Sequence, residues 1–260
     1  MWHISNAPHP DCKPVSPELS LLSDTPGMVW PAMPSVEAAT LLALQFEFER
    51  TQWLSPEQLE ARQLRQLQAQ FDHLHAHSPF HRQYLDGAGF IPGQPLTREQ
   101  FRQIPVISRA DLQAAGDAAL CQQTPPEHGK VRTGATSGST GRALTYAKTG
   151  LADFMWNAIT LRESLWSGWD LQGRLAVSRA GAKNEERMNW GPPEGLVFAT
   201  GPASLRKVST DVGEQAAWLA HYRPDYLITK PTNLKALCQW FQAHGGWPGK
   251  LRGSAPSARP

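Results

Sequence analysis

The sequence predicts an α/β fold, in which a helical N-terminal region is followed by a partly parallel sheet with flanking helices. Two patterns support this fold class. Residues 36 to about 115 carry apolar side chains at helical spacing behind recognisable helix caps, and from about residue 130 short apolar runs alternate with helix-forming segments. Such alternation is typical of parallel strands joined by helices. Hydrophobic residues at 40% and charged residues at 18% fit a globular chain.

Residues 1–35 are predicted to form an irregular arm rich in proline. Proline lacks the backbone N–H and fixes φ, so closely spaced prolines exclude a continuous helix or a central strand. We expect the arm to pack through Leu21, Leu22 and Trp30. The prolines of this segment are Pro8, Pro10, Pro14, Pro17, Pro26, Pro31 and Pro34.

Two long helices are predicted next. The first covers residues 37–51, and the second begins at the cap Ser55 with Pro56 in its first turn and should end near Ser78. Its apolar side chains recur at helical spacing, and they are Leu59, Leu64, Leu67, Phe71 and Leu74.

Shorter elements follow. One short helix is predicted around 82–85, and Thr97 and Ser108 are expected to cap two more. The strand candidates are 130–133, 143–148, 173–178, 195–200 and 225–229. The helices between and after them are predicted at 151–166, 211–221 and 232–244.

The most informative segment lies between the first two strand candidates. It is dense in hydroxyl groups and glycine and ends in a cation, a composition that cannot build a core but can wrap a polyanion. A flexible Gly/Ser linker is the alternative, but the ordered flanks favour a strand–loop–strand phosphate hairpin. The candidate phosphate-binding residues are Thr136, Ser137, Gly138, Ser139, Thr140, Gly141 and Arg142.

Two other motifs that use such residues do not fit. A nucleotide-hydrolase P-loop needs Gly, four residues and then Gly-Lys-Ser/Thr, but Ser139 stands where Gly134 would require the second glycine. Arg142 and Ala143 follow Gly141, instead of Lys and Ser/Thr. A hydrolase nucleophile elbow, Gly-x-Ser-x-Gly, is also missing, because Ala135 occupies its first position.

The segment resembles the phosphate-binding loop of the acyl-adenylate-forming ligases, whose pattern is Ser/Thr-Ser-Gly-Ser/Thr-Thr-Gly-Lys/Arg-Pro. Seven of the eight positions fit, and Ala143 replaces the proline. Three further segments are similar to the phenylacetate–CoA ligase-like branch and follow the order of that branch. They are FDHLHAHSPFHRQYL at 71–85, FRQIPVISRADL at 101–112 and YRPDYLITKPTNLKAL at 222–237.

This resemblance implies an activity and its cofactors. Ser137, Ser139 and Thr140 would hold the β- and γ-phosphates of ATP, and Arg142 would act as the catalytic cation that stabilises the departing pyrophosphate. Mg²⁺ and coenzyme A are implied as cofactor and co-substrate, and a small carboxylic acid as substrate. The reaction would form an acyl-adenylate and then a thioester.

The same resemblance predicts an incomplete adenylation domain. Four elements of the family are not found in this sequence. They are the Gly-Glu element, the aromatic-Gly-x-Thr/Ser-Glu element that holds adenine and magnesium, the Asp that binds the ribose, and the catalytic Lys of the C-terminal domain. We therefore expect a truncated N-terminal adenylation domain over 36–252, a disordered tail over 253–260 and a catalytically incomplete ligase. The alternatives are a non-enzymatic module that binds a nucleotide or a partner, and a product without function.

Charge and cysteine content narrow the function classes. A formal charge of +2 without a Lys/Arg block argues against nucleic acid or an anionic membrane as partner. No segment resembles a secretion signal, and three scattered cysteines suit a reducing compartment, so the cytoplasm is the expected location.

Three residue groups are weaker site candidates. His73, His77 and His81 are spaced four apart and could bind zinc on one helix, but a solvated helix end is favoured because Pro79 interrupts the spacing. The polar stretch around 185–187 could be an active-site loop, although a surface loop is favoured. The ten tryptophans could line a pocket for an aromatic acid, although ordinary packing is favoured.

Overall fold

The computed structural model describes residues 19–136 and 143–256, which fall into two compact units. One unit comprises residues 44–156, and the other comprises the described residues up to 43 and from 157. The helices are α1 Val36–Thr51, α2 Pro56–His77, α3 Pro79–Gly87, α4 Arg98–Gln103, α5 Arg109–Ala115, α6 Gly150–Trp166, α7 Glu194–Val197, α8 Val212–Tyr222 and α9 Pro231–Ala243. The strands are β1 Arg132–Ala135, β2 Thr145–Lys148, β3 Leu175–Arg179, β4 Glu185–Arg187, β5 Ala203–Lys207, β6 Tyr226–Thr229 and β7 Gly253–Pro256.

Local caps start the helices of the first unit as predicted. Ser55, Thr97 and Ser108 each accept a hydrogen bond from the backbone N–H three residues on and form reciprocal capping boxes. Helix α3 begins at Pro79, capped by Ser78, and ends at Gly87. The apolar face of α2 packs against the buried side chains Leu85, Phe90 and Leu96.

The second unit is built on a five-stranded sheet of order β4-β5-β3-β6-β7. The central strand β3 pairs in parallel with β5 and β6, β6 pairs in parallel with β7, and β4 adds an antiparallel edge. Helices α8 and α9 cover one face, where the buried core is Ala176, Ala216, Leu219, Tyr222, Leu227, Leu237 and Phe241. The predicted α/β class with a partly parallel sheet and flanking helices is confirmed.

The strand predicted at 195–200 is wrong. Residues 194–197 form the short helix α7, and Phe198 makes only an isolated bridge to Leu21. A short apolar run fits a buried helical turn as well as a strand, so hydrophobicity alone could not decide between them. Strands β4 and β5 were missed, because their polar and charged residues hide the alternation.

The described part of the N-terminal segment, residues 19–35, contains turns and one isolated bridge and no helix. It is held by backbone hydrogen bonds, from Leu22 N–H to the Val197 carbonyl and from Ala199 N–H to the Ser20 carbonyl. The side chains expected to pack this segment are exposed: Leu21 by 40%, Leu22 by 39% and Trp30 by 89%.

The disordered tail predicted for residues 253–260 is wrong for its first four residues. Residues Gly253–Pro256 form β7, which pairs with β6 from Tyr226↔Gly253 to Thr229↔Pro256. Gly253 and Pro256, at the two ends of this strand, hide it in the sequence, because glycine and proline weaken or interrupt regular strands. Residues 257–260 lie outside the described part of the chain.

A buried polar network joins the sheet to both covering helices. Gln215 on α8 accepts from Ser178 Oγ at 2.8 Å and from Asn233 Nδ2 at 2.9 Å. Its amide donates to the Thr210 carbonyl at 2.7 Å, while Asn233 also donates to Thr229 Oγ1 at 2.9 Å. Because buried polar groups are costly to leave unpaired, the network fixes α8 and α9 on the sheet.

Replacing Gln215 by leucine is expected to destabilise the protein by about 2–3 kcal/mol, since several buried partners lose a hydrogen bond. Urea unfolding followed by tryptophan fluorescence measures the loss. The same change at exposed Gln239 on α9 is the control and should alter stability little. Equal stability of the two variants would argue against the network.

Among the helices that the structure describes, none combines the length and apolarity needed to cross a membrane.

Candidate phosphate-binding hairpin

Strands β1 and β2 pair as an antiparallel hairpin, and the candidate loop lies between them in the sequence. Their register runs from Arg132↔Lys148 to Ala135↔Thr145, so the hairpin predicted from the sequence is confirmed for the residues that flank the loop. Gly134 has a packing role here. A Cβ atom at this position would lie 2.7 Å from the ring of Tyr146, its cross-strand partner.

The loop is closed at its base by Thr136 and Leu144. Thr136 N–H donates to the Leu144 carbonyl at 2.9 Å, and Leu144 N–H donates to Thr136 Oγ1 at 3.0 Å. These two bonds extend the hairpin one residue beyond the strands on each side. They bring the first predicted phosphate-binding residue and the residue after Ala143 together at the neck of the loop.

Arg109, the first residue of α5, reaches the same hydroxyl. Its Nη2 donates to Thr136 Oγ1 at 2.9 Å. A hydroxyl offers two acceptor lone pairs and one proton. Because Leu144 N–H and Arg109 occupy the acceptor positions, the remaining capacity of Thr136 is to donate its proton to an acceptor such as a phosphate oxygen.

The sequence missed Arg109 as a member of this site. In the sequence, the segment around it, ISRADL, shows only a similarity to a ligase branch. Arg109 and Thr136 are 27 positions apart, and the sequence near either residue holds no signal for their contact, so only the fold shows it. The other predicted site residues, Ser137, Gly138, Ser139, Thr140, Gly141 and Arg142, lie outside the described residues.

The far end of the hairpin is anchored by charge. Arg132 and Lys148 face each other across the strands, an arrangement of like charges that is unfavourable by itself. Asp153 in the first turn of α6 forms ion pairs with both, and its Oδ1 lies 2.7 Å from Lys148 Nζ. The Lys148 ammonium also lies 5.7 Å from the centre of the Trp156 ring.

The histidine cluster does not form a metal site within the described residues. The rings of His73 and His77 are 4.6 Å apart, but His73 Nε2 lies 3.2 Å from the Gln123 carbonyl. His81 turns to Ser78, with Nδ1 2.8 Å from Oγ. Each ring therefore has a local structural contact.

Partial burial lowers the pKa of His81 below its ordinary value of 6.5. The unfolded chain therefore takes up the proton first, so stability is expected to fall as the pH drops through the ordinary histidine range. NMR titration of the ring should give a midpoint below 6.5, and a midpoint at or above that value would contradict this assignment. His81→Asn should remove this part of the pH dependence of unfolding.

The stretch around 185–187 is neither an active-site loop nor a surface loop, since it forms the edge strand β4. Glu186 accepts from Ser204 Oγ at 2.6 Å and from Arg206 at 3.0 Å, and Glu185 pairs with Arg187. The contacts of Glu186 tie β4 to β5, and the Glu185–Arg187 pair lies within β4, so these charged residues have structural partners.

Several tryptophans pack as ordinary core aromatics. Trp169 stacks on Tyr226 at 4.9 Å between ring centres, and Trp190 packs edge-on against both rings. The Trp190 indole N–H donates to the Gly173 carbonyl at 2.9 Å. The cluster closes the amino ends of β3 and β6, in agreement with the packing interpretation.

Comparisons with known proteins and solved structures show which fold this chain resembles. No family model and no curated protein matches the chain. Crystal structures of 2-hydroxyisobutyryl-CoA ligase do resemble it: one with 2-HIB-AMP and CoA in the thioesterification state has a TM-score of 0.55 at 20% identity and covers 80% of this chain. An open conformation of that ligase has a TM-score of 0.54 at 20% identity and covers 79% of this chain.

The chain spans less than half of those structures, 45% of the first and 48% of the second. A third structure, the postadenylation state with 2-HIB-AMP, gives a TM-score of 0.55 at 20% identity, with 79% of this chain and 44% of that chain covered. At this identity the likeness concerns the fold. The described architecture therefore has the fold of a part of these 2-hydroxyisobutyryl-CoA ligase structures.

Proposed function

We propose that this chain binds the triphosphate of ATP through residues 136–142, as part of an AMP-forming carboxylate–CoA ligase. The observation that carries this proposal is the neck of the hairpin. Thr136 and Leu144 close the base of a loop rich in hydroxyls and glycine, and Arg109 occupies the acceptor side of the Thr136 hydroxyl. A proton donor thus stands at the entrance of a loop whose composition suits a polyanion.

The roles within the loop follow from its chemistry. Hydroxyl and backbone N–H groups of Ser137, Ser139 and Thr140 would donate to the β- and γ-phosphates, while Gly138 and Gly141 let the backbone approach closely. Arg142 would stabilise the negative charge that develops on the leaving pyrophosphate.

The proposed reaction has two steps. A carboxylate oxygen of the acid attacks the α-phosphorus of ATP, the bond to the β-phosphate oxygen breaks, and an acyl-adenylate and pyrophosphate result. The thiol of coenzyme A then displaces AMP to give the thioester. The structural neighbours were solved with 2-HIB-AMP and CoA, which supports both the intermediate and the acceptor. The resemblance adds Mg²⁺ as the metal that would accompany ATP.

Sequence segments support a finer assignment. The similarity of 71–85, 101–112 and 222–237 to the phenylacetate–CoA ligase-like branch leads us to propose that branch, with a small carboxylic acid as substrate and the cytoplasm as location. Nucleic acid and membrane are not among the proposed partners, in keeping with the near-neutral charge.

We further propose that these 260 residues bind nucleotide without completing the reaction. The motifs that the resemblance assigns to adenine, magnesium and ribose are not found in the sequence. Without groups that position the acid and the α-phosphate, most of the rate enhancement would be lost. The second candidate, a non-enzymatic nucleotide- or partner-binding module, rests on the same observation.

ATP titration by calorimetry tests the proposed binding. Arg142→Gln should weaken ATP binding about tenfold or more, because it removes charge-assisted hydrogen bonds to phosphate. Arg102→Gln, at an exposed position on α4, removes the same charge elsewhere and should leave the affinity unchanged. Equal affinities of wild type and Arg142→Gln would refute the assignment of the loop.

Exchange of labelled pyrophosphate into ATP tests the proposed incompleteness. With a panel of carboxylic acids and Mg²⁺, the 260-residue chain should show no exchange above a protein-free blank. Exchange that depends on an acid would show that the chain carries a working adenylation site, and would overturn this part of the proposal while supporting the ligase assignment.

A further inference from the structure

Residues 23–33 form a loop whose two ends are joined, and we call this segment the Trp30 loop. Asp24 N–H donates to the Met33 carbonyl at 2.7 Å, and Met33 N–H donates to Ser23 Oγ at 3.2 Å. The segment before the loop is bonded to the backbone of α7. The loop is therefore held in place before a partner binds, which lowers the entropic cost of association.

The apolar tip of the Trp30 loop faces solvent. Trp30 is 89% exposed, and its neighbour Val29 is 88% exposed. Residues 23–33 contain one charged residue, Asp24, and no cation that would attract an anionic membrane. An exposed tryptophan on a fixed base is typical of a protein contact. The tip therefore suits a partner that encloses an uncharged aromatic side chain.

The same unit contains an apolar cavity of about 300 Å³, which we call the α8–α9 cavity. Its lining includes Leu219, Leu227, Leu237, Phe241, Trp247 and Leu251. Of the described residues that line it, none is charged. The rings of Phe241 and Trp247 meet edge to face with 4.8 Å between their centres. A cavity of about 150 Å³ holds a benzene ring, so this one has room for an indole.

We propose that two copies of this chain associate by inserting the Trp30 loop of each into the α8–α9 cavity of the other. Trp30 lies outside the cavity of its own chain, since it is exposed, so the indole that fills the cavity comes from a second molecule. Each copy carries both surfaces on one compact unit. The two contacts are therefore equivalent and close around a twofold axis.

The contact area fits a weak dimer. An enclosed aromatic side chain buries about 200 Å², so two indoles and the matching cavity walls account for about 800 Å². Val29 and the 47% exposed Met33 add to this area, which brings it to the ~1,000 Å² of the smallest specific interfaces. We expect a dissociation constant in the range of about 1–100 μM for such an interface.

Sedimentation equilibrium of the 260-residue chain at about 1–300 μM tests the association. A monomer–dimer equilibrium is expected. Trp30→Ala should weaken it about tenfold or more, because a buried tryptophan often contributes most of the binding energy. Trp53→Ala removes an indole that is 79% exposed on the other unit and should leave the equilibrium unchanged.

Cys238→Arg tests the cavity side of the contact. Cys238 is an exposed residue of α9 that lines the cavity, so arginine would occupy the space and bring a charge into it. Dimerisation should weaken about tenfold or more. Gln239→Arg places the same charge on the next exposed residue, outside the lining, and should change little. Circular dichroism melts confirm that the variants fold.

Cross-linking locates the contact. Chains carrying Val29→Cys together with Cys238→Ser are mixed with unmodified chains, so a link to Cys238 forms only between molecules. A short bismaleimide should join the introduced thiol to Cys238, and peptide mass spectrometry identifies the linked pair. A link predominantly to another cysteine would contradict the proposed docking.

Three other results would overturn the proposal: a chain that stays monomeric at the highest concentration, equal dimerisation of Trp30→Ala and Trp53→Ala, or dimerisation that Cys238→Arg does not affect. Co-sedimentation with phosphatidylcholine vesicles tests the alternative occupant. Trp30-dependent binding of monomers to these vesicles would identify a lipid surface as the partner of the loop, and would also overturn the proposal.

Discussion

Replacing Gly201 by alanine is expected to cost about 3 kcal/mol or more of unfolding free energy. The residue is buried just before β5, and its N–H donates to the Leu171 carbonyl at 2.8 Å. A Cβ atom there would lie 2.3 Å from the carbonyl oxygens of both Gln172 and Gly173. These are backbone atoms, so the clash cannot be relieved by turning a side chain. Relief would require the segments leading into β3 and β5 to move apart.

Urea unfolding followed by tryptophan fluorescence measures this effect. Gly195→Ala is the matched control in the same unit, because its new Cβ would meet Asn189 at an ordinary 3.4 Å. That variant should stay within about 1 kcal/mol of wild type, since alanine suits a helical position. A Gly201→Ala variant as stable as the control would contradict the close approach described here.

Thr136→Val is expected to have the largest effect on ATP binding among the described residues of the hairpin. The change keeps the shape of the side chain but removes the hydroxyl that accepts from Leu144 N–H and Arg109. Two donors at the neck then lose their acceptor, and the proton offered to a phosphate oxygen is lost. We expect about tenfold weaker binding and about 1–2 kcal/mol lower stability.

Thr145→Val gives the control for this prediction. It makes the same chemical change one residue beyond Leu144, at an exposed position of β2, and should leave ATP affinity unchanged. Calorimetric titration of both variants and of Arg109→Gln measures the comparison. If Thr136→Val and Thr145→Val bind ATP equally well, the neck does not contribute to the site.

A double variant shows whether Arg109 acts through Thr136. If it does, Arg109→Gln should weaken ATP binding in the wild type but add little once Thr136 is valine. Fully additive losses would instead place Arg109 in a separate role. Thermal melts of the same variants separate a change in stability from a change in binding.

Local signals predicted much of the fold. The caps Ser55, Thr97 and Ser108 were identified correctly, because a hydroxyl followed by a helix-forming turn is a short-range pattern. The hairpin around residues 136–144 was also predicted, since two short strands flank a segment that cannot join a core. In each case the deciding interaction spans only a few residues.

The missed elements depend on distant partners. Strand β5 reads ASLRK, and its backbone becomes a strand because β3 and β4 pair with it on both sides. Residues 194–197 form a helical turn instead of a strand. The contact between Arg109 and Thr136 likewise arises from tertiary placement, which single-sequence periodicity does not contain.

A crystal structure of the chain with a non-hydrolysable ATP analogue tests the central claim most directly. We predict that the β- and γ-phosphates lie within hydrogen-bonding distance of the loop after Thr136, with the Thr136 hydroxyl donating to a phosphate oxygen and Arg109 still bound to that hydroxyl. A bound analogue whose phosphates lie away from residues 136–142 would contradict it.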